Sequence, residues 1–354
     1  MQLQGAPISV ATEVFTRVNI GGKTLSLFEI MVAKTFDAEK DFDLLSEWEA
    51  LQEELERRGY GTVDAINMLQ LIGLLTVGDV RRKSILDIPK SQFINAWPDA
   101  RKAIGHAVDF CRTTVGLRVS RLLPYTACLV PLAYFFHSVG GRKASASEQS
   151  QLTAYIFRAG WSNRYTGPVE TNLNQDRHKI DTLITSGDAR IDFPVVSHRE
   201  WLAEQEFRAN EAFSKTVLAI LAREDPRSFD TNSKIDLDNS AMQRGNSRNF
   251  HHFFPKAFLR KKGVGLAGYD ANSVLNITLV DDYLNKRSIR ARAPSEYLRE
   301  FHAENSHFKR SMKSHLIDVS KSAAVWDDDY ERFLLDRADE VLLKFQEIGL
   351  LEDE

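Results

Sequence analysis

Cysteine is scarce in this chain: Cys111 and Cys128 are its two thiols in 354 residues, with neither a pairing pattern nor ligand spacing. A disulfide framework is not expected, and a reducing cytosol fits. Long apolar runs are scarce too. The most apolar segment, LLPYTACLVPLAYFF from Leu122 to Phe136, holds two prolines and is too short to cross a bilayer. It reads as a buried helix pair or a kinked helix. The opening MQLQGAPISVATEVF has no basic region followed by an apolar core, so no secretory signal is expected and a cytoplasmic, membrane-free location is. A net charge of -3 gives no global indication of a nucleic-acid partner, and neither an internal repeat nor a low-complexity tract is visible.

What remains is an ordinary globular composition, 43% hydrophobic and 27% charged, in a chain long enough for two or three domains. The charge is uneven. From Ala241 to Glu300 there are eleven Lys or Arg against five Asp or Glu, a window of +6 in a chain whose remainder is -9. Such an island is either an anion-binding surface or a solvated face.

The patterning is mainly helical. Val14 to Ile20 alternates as a short strand, Gly21-Gly22 supplies a turn, and Thr24 to Glu29 has the composition of a helix start. In FDLLSEWEALQEELERRGYG, residues Phe42, Leu45, Trp48, Leu51 and Leu55 recur at helical spacing, ending near Gly59. TVDAINMLQLIGLL and SQLTAYIFRAGW repeat that pattern, and breaks at 86–90, 138–142 and 163–168 separate the helices. Residues 225–248 are polar and rich in Asn, Ser and Asp, the composition of a linker or long loop. The closing WDDDYERFLLDRADEVLLKFQEIGLL reads as an amphipathic helix, its acidic start a solvated first turn placed well for the helix dipole.

The residues that carry chemistry lie between 248 and 300. RNFHHFFPKAFL sets His251 and His252 on a strand that Pro255 ends. A loop with Gly263, Gly265 and Gly268 follows, then a second strand, Val274 to Val280, and a helix start carrying Asn285. A hairpin followed by a helix can hold an ion between its first strand and the helix. A divalent cation that must keep open positions for water and phosphate suits a sparse set of imidazole and amide oxygen. A second imidazole with an ordinary pKa near 6.5 can take a proton from water. Mg²⁺ fits such a hard, open site better than a closed zinc cage, with Mn²⁺ as an alternative. Lys256, Arg260, Lys261, Lys262, Lys286, Arg287, Arg290 and Arg292 would hold backbone phosphates, with little information about base sequence. The bland reading is that two rings in an apolar strand are packing.

HHFFP, then LNITLV, then NKRSIRARAPSEYL resembles the HNH (ββα-metal) nuclease motif, in the version at the C-terminus of GmrSD-type modification-dependent restriction endonucleases. The resemblance implies His251 as a metal ligand, His252 as general base, Asn276 as the residue bracing the loop or orienting the base, and Asn285 as the second protein ligand. VFTRVNIGGKTLSLFEI is similar to the closing part of the ParB/sulfiredoxin-like domain that precedes the nuclease in those proteins, and RAGWSNRYTGPVE, residues 158–170, resembles a stretch of their helical middle. The DGQQR motif associated with nucleotide binding in that domain is absent from this sequence. A second polypeptide or a missing N-terminal region would supply it.

The expected architecture is mainly α with a small α+β part. Residues 1–38 would form the remnant of the ParB/sulfiredoxin-like domain, 39–227 a helical domain, 228–305 the nuclease module, and 306–354 a C-terminal helical segment. The expected function is metal-dependent hydrolysis of DNA in defence against modified or foreign DNA. Two alternatives stand beside it: a non-catalytic subunit that binds DNA or a partner, and a toxin-like nuclease acting on RNA. Gly263 to Gly268 matches GxGxxG superficially but follows a basic run rather than a strand, which argues against a dinucleotide site. Histidines 106, 137, 178, 198, 302, 307 and 315 show no ligand spacing and are expected to be structural or exposed.

Overall fold

A computed structural model describes residues 25–187, 191, 193–239, 250–263, 268–280, 289–349 and 351. Among these the chain is mainly helical, with one two-stranded sheet. The helices are α1 (Leu27–Thr35), α2 (Leu44–Arg57), α3 (Ala65–Val77), α4 (Arg82–Asp87), α5 (Lys90–Phe110), α6 (Leu129–Ser138), α7 (Ala146–Trp161), α8 (Val169–Ser186), α9 (Arg199–Glu204), α10 (Ala212–Arg223), α11 (Lys256–Lys261), α12 (Pro294–Glu304), α13 (Phe308–Lys313) and α14 (Tyr330–Glu347). The strands are β1 (Phe250–His252) and β2 (Ile277–Leu279). The expected strand at 14–20 lies outside the described residues.

Two compact units result. One comprises residues 1–110, 126–148 and 165–191, the other 111–125, 149–164 and 192–354. The helical stretch expected over 39–227 thus contributes to both, and residues 306–354 share a unit with 228–305.

The first unit is organised on α3, in which every residue from Asn67 to Leu74 is buried. Asp64 caps its start, and Gly78 in left-handed backbone (φ 68°) ends it. The start of α1 is a capping box: Ser26 Oγ accepts from Glu29 N at 3.2 Å, and Ser26 N donates to Glu29 Oε2 at 2.7 Å. In α2 the buried stripe is Leu44, Leu51 and Leu55, whereas Leu45 is 44% exposed. The spacing had put Leu45 inside. The helix opens at Leu44 behind the Asp43 cap, leaves Phe42 outside it, and runs its seam through Leu44. Within residues 122–136 the chain forms short 3₁₀ turns and then α6, with Pro131 buried inside it. Among the described residues no helix is long and apolar enough to cross a membrane.

The second unit has two aromatic centres. Trp161 meets Phe345 at 4.4 Å and Phe213 at 4.8 Å between ring centroids, and Trp201 meets Phe213 at 5.3 Å. At the other centre, Phe253 stacks on Phe333 of α14 at 4.9 Å, and Phe254 lies 5.0 Å from the same ring. Such pairs add about 0.5–1.5 kcal/mol beyond burial. The two phenylalanines after the histidine pair are therefore anchors for the turn.

Residues 225–239, expected as a linker or loop, carry no helix and are firmly packed. Phe229 is buried against Phe253 and His315, Asn305 Nδ2 donates to its carbonyl at 2.9 Å, and Ser314 Oγ accepts from Arg227 N at 3.0 Å.

Candidate functional site

β1 and β2 pair antiparallel, Phe250 with Leu279, His251 with Thr278 and His252 with Ile277. Alternation along β1 sends the two imidazoles to opposite faces of the ribbon. His251 is buried, 4% exposed, beside Thr278, whose hydroxyl donates to the His251 carbonyl at 3.3 Å. His252 is half-buried, on the face shared with Phe250 and Ile277.

Asn276 closes the turn after β1. Its Oδ1 accepts from Phe254 N at 2.8 Å, while its Nδ2 donates to Phe254 O and to Ala271 O, both at 2.9 Å. A fully buried amide spending every one of these contacts on backbone holds the HHFFP turn in a single conformation. The contacts of Asn276 are with the backbone of the loop rather than with an imidazole. Tyr297 of α12 adds a hydrogen bond to Phe253 O at 2.7 Å.

The group that touches His252 is one that sequence reasoning missed. His252 Nε2 lies 2.9 Å from Asn272 Oδ1. Asn272 Nδ2 donates to the Phe207 carbonyl at 2.9 Å, and a carbonyl can only accept, so the Asn272 amide is oriented unambiguously. The proton of neutral His252 therefore resides on Nε2, leaving the Nδ1 lone pair as the basic atom. Burial first, and the positive charge of Lys256 after it, lower the His252 pKa to about 4 against the opposing pull of the Asn272 hydrogen bond and Asp270. The ring is neutral at pH 7.

Asn272 is itself pinned. Its backbone carbonyl accepts from Phe207 N at 2.8 Å, and Ser273 Oγ and Val274 N reach the carbonyls of Ala203 and Gln205 at 2.8 and 2.7 Å. The segment after α9 is thus a second wall of the site. An Asn in a loop rich in polar residues gave no periodic signal by which to find it.

Behind β2 sits Arg337, 2% exposed on α14. Its guanidinium donates to Leu275 O, to Ile277 O at 2.8 Å, and to His315 O at 2.9 and 3.2 Å. Among the described residues no carboxylate faces it, and desolvation lowers its pKa to about 9, so it stays charged at pH 7. It fixes the residues either side of Asn276. An Arg on the apolar stripe of an amphipathic helix was the available sequence signal.

Of the expected phosphate contacts, Lys256, Arg260, Lys261 and Lys262 are exposed on and just after α11, with no carboxylate partner among the described residues. Arg292 instead forms a forked ion pair with Glu300. Arg290 is exposed. Lys286, Arg287 and the expected ligand Asn285 lie outside the described residues. Among the described residues no group of three or more His, Cys, Asp or Glu could hold a metal ion. A set of one imidazole and one amide is smaller than such a group. Asp328, in the acidic run before α14, accepts from Ser295 N at 2.9 Å and Ser295 Oγ at 2.7 Å, and Asp329 caps the helix, consistent with a helix-start role.

No protein-family model matches this chain. It is 22% identical over 311 residues to an uncharacterized protein of Methanocaldococcus jannaschii, an alignment covering 81% of this chain and 49% of the relative. The chain spans about half the length of the curated relative it matches.

Proposed function

We propose that this chain is a metal-dependent endonuclease of the HNH type, related to GmrSD-type enzymes, that hydrolyses phosphodiester bonds of modified or foreign DNA in the cytoplasm. The observation that carries this reading is the treatment of the histidine pair: a braced turn carries two imidazoles on opposite faces, and one is neutral and oriented by Asn272, with its Nδ1 lone pair uncommitted. Mere packing does not require a fixed tautomer.

His252 Nδ1 takes the proton of the attacking water, with Asn272 holding the ring by its Nε2–H. Asn276 acts as a positioning residue through the turn. His251 and Asn285 would hold a hydrated Mg²⁺ or Mn²⁺, and their donor chemistry, one imidazole and one amide oxygen, fits a hard ion that retains water. Such an ion supplies charge neutralisation at the scissile phosphate and leaving oxygen. Lys256, Arg260, Lys261 and Lys262 provide a cationic approach for the strand. A further polypeptide or region contributes to recognition in this reading, for which the relative's greater length is the support.

His252→Ala should lower plasmid cleavage in Mg²⁺ about 100-fold or more, with DNA affinity nearly unchanged. Because the ring remains neutral well below pH 6.5, cleavage should persist into mildly acidic buffer. Equal nicking by the variant removes the assigned base. DNA binding without cleavage by the parent chain in either metal would favour the non-catalytic subunit.

A further inference from the structure

The second unit contains a cleft that none of these roles uses. It has a volume of about 390 Å³ and is walled by Arg299, His302, Phe308, Lys309, Val319 and Trp326. That is within the range of small-ligand sites. Three rings line it in mutual contact: His302 lies 5.0 Å from Phe308 and 6.0 Å from Trp326, and Phe308 lies 6.1 Å from Trp326.

Its cations stand apart from their neighbours. Arg292 is held by Glu300 and Lys321 by Glu340, yet among the described residues neither Arg299 nor Lys309 has a carboxylate partner. The Trp326 indole N–H likewise has no acceptor among the described residues. The walls are set in advance. Ser295 at the start of α12 is tied to Asp328, Trp326 N donates to Ala323 O at 2.8 Å, and Tyr297 and Phe301 seat the inner face of α12, leaving Arg299 and His302 outside.

An apolar ligand would leave two cations unserved, and a bare phosphate would not use the rings. A planar, hydrogen-bonding ring with an attached anion uses both. We propose that this cleft binds a nucleobase together with its phosphate, the base stacking on Trp326 beside His302, with buried Phe308 beneath them, and the phosphate meeting Arg299 and Lys309. Two sources share that chemistry, a single strand and a free nucleotide. The assignment does not depend on hydrolysis at His252.

The test is equilibrium binding by the full chain, in EDTA so that no strand is cut. The probe is a fluorescent oligothymidylate of about 12 nucleotides. Thymidine monophosphate and phenyl phosphate are the competitors. Trp326→Ala should weaken binding about tenfold, Trp326→Phe should retain most of it, and the Arg299→Ala/Lys309→Ala pair should reduce the log–log salt slope by about 0.7, the share of one phosphate. These side chains are exposed or half-exposed, and unchanged thermal melting checks that the variants are folded. Competition by the mononucleotide assigns the site to free nucleotide, and its absence assigns the site to a strand. Parent-like affinity and salt slope in the Trp326→Ala and double variants overturn the proposal. So does phenyl phosphate competing as well as the nucleotide.

Discussion

The two units handle buried polarity in opposite ways. In the first, the central helix α3 buries mainly aliphatic side chains, and the strongly held charges are carboxylates satisfied by hydrogen-bond donors of their own unit. Burial opposes the charge on Asp79, but hydrogen bonds from Ser84, Asn174 and Arg81 outweigh it and hold the carboxyl far below its usual range. The Arg142 fork lowers Glu148 to about 2. In the second, His251, Ser273, Asn276, Thr278, His315 and Arg337 are all buried around one pair of three-residue strands. Apolar packing needs no such company, and polar burial is costly unless every group is satisfied.

Acid should separate them most strongly. His252 is lowered to about 4 and fully buried His315 to about 3, both chiefly by desolvation. The unfolded chain binds these protons near pH 6.5 and the folded chain does not, so the second unit loses stability as pH falls from 6.5 toward 4. The loss is about 5 kcal/mol for the pair at pH 4, with part of the His252 share discounted for solvent contact. Glu148 and Asp79 work in a lower window, stabilising above about pH 4.5 and losing that contribution only as pH falls toward 2. Hydrogen exchange at pH 7 and pH 5 should show peptides of residues 250–280 and 308–345 opening first. Simultaneous opening of 65–77 would erase the distinction.

Arg337→Met should follow in size, at about 4 kcal/mol, because three carbonyls lose charged donors in a dry interior. Arg337→Lys should recover little, since one ammonium cannot reach carbonyls arranged for a fork. Denaturant midpoints compare both with the parent. Asn276→Ala is next, about 3 kcal/mol, and should expose the turn amide of Phe254 to exchange. The contrast within the first unit is Asn67, whose Nδ2 reaches Gln70 at 3.5 Å and braces no turn, so Asn67→Ala should cost less.

The fold was legible where a pattern had a period. The stops at 86–90, 138–142 and 163–168, the Ser26 start and the closing amphipathic helix all follow from local chemistry. The two strands were legible from their own short apolar runs, the first closed by Pro255. Asn272 and Arg337 were not. One reports to Phe207, 65 residues away, and the other to Leu275, 62 residues away, and no local pattern encodes such a closure. The firm packing of 225–239 escaped for the same reason: its partners Asn305, Ser314 and His315 come much later.

The smallest expected effect tests how periodicity failed inside a helix it had found. Both Leu44 and Leu45 open α2, and the stripe drawn through Phe42, Leu45 and Trp48 chose the wrong one. The Asp43 cap decides the phase: its carboxylate accepts from Leu45 N at 3.0 Å, which sets where the first turn begins and leaves Leu44 inside. Leu44→Ala should therefore cost about 3 kcal/mol and Leu45→Ala a few tenths, measured as midpoint shifts in urea. A larger cost at Leu45 would mean that the cap does not set the phase, and that the seam lies where the spacing alone puts it.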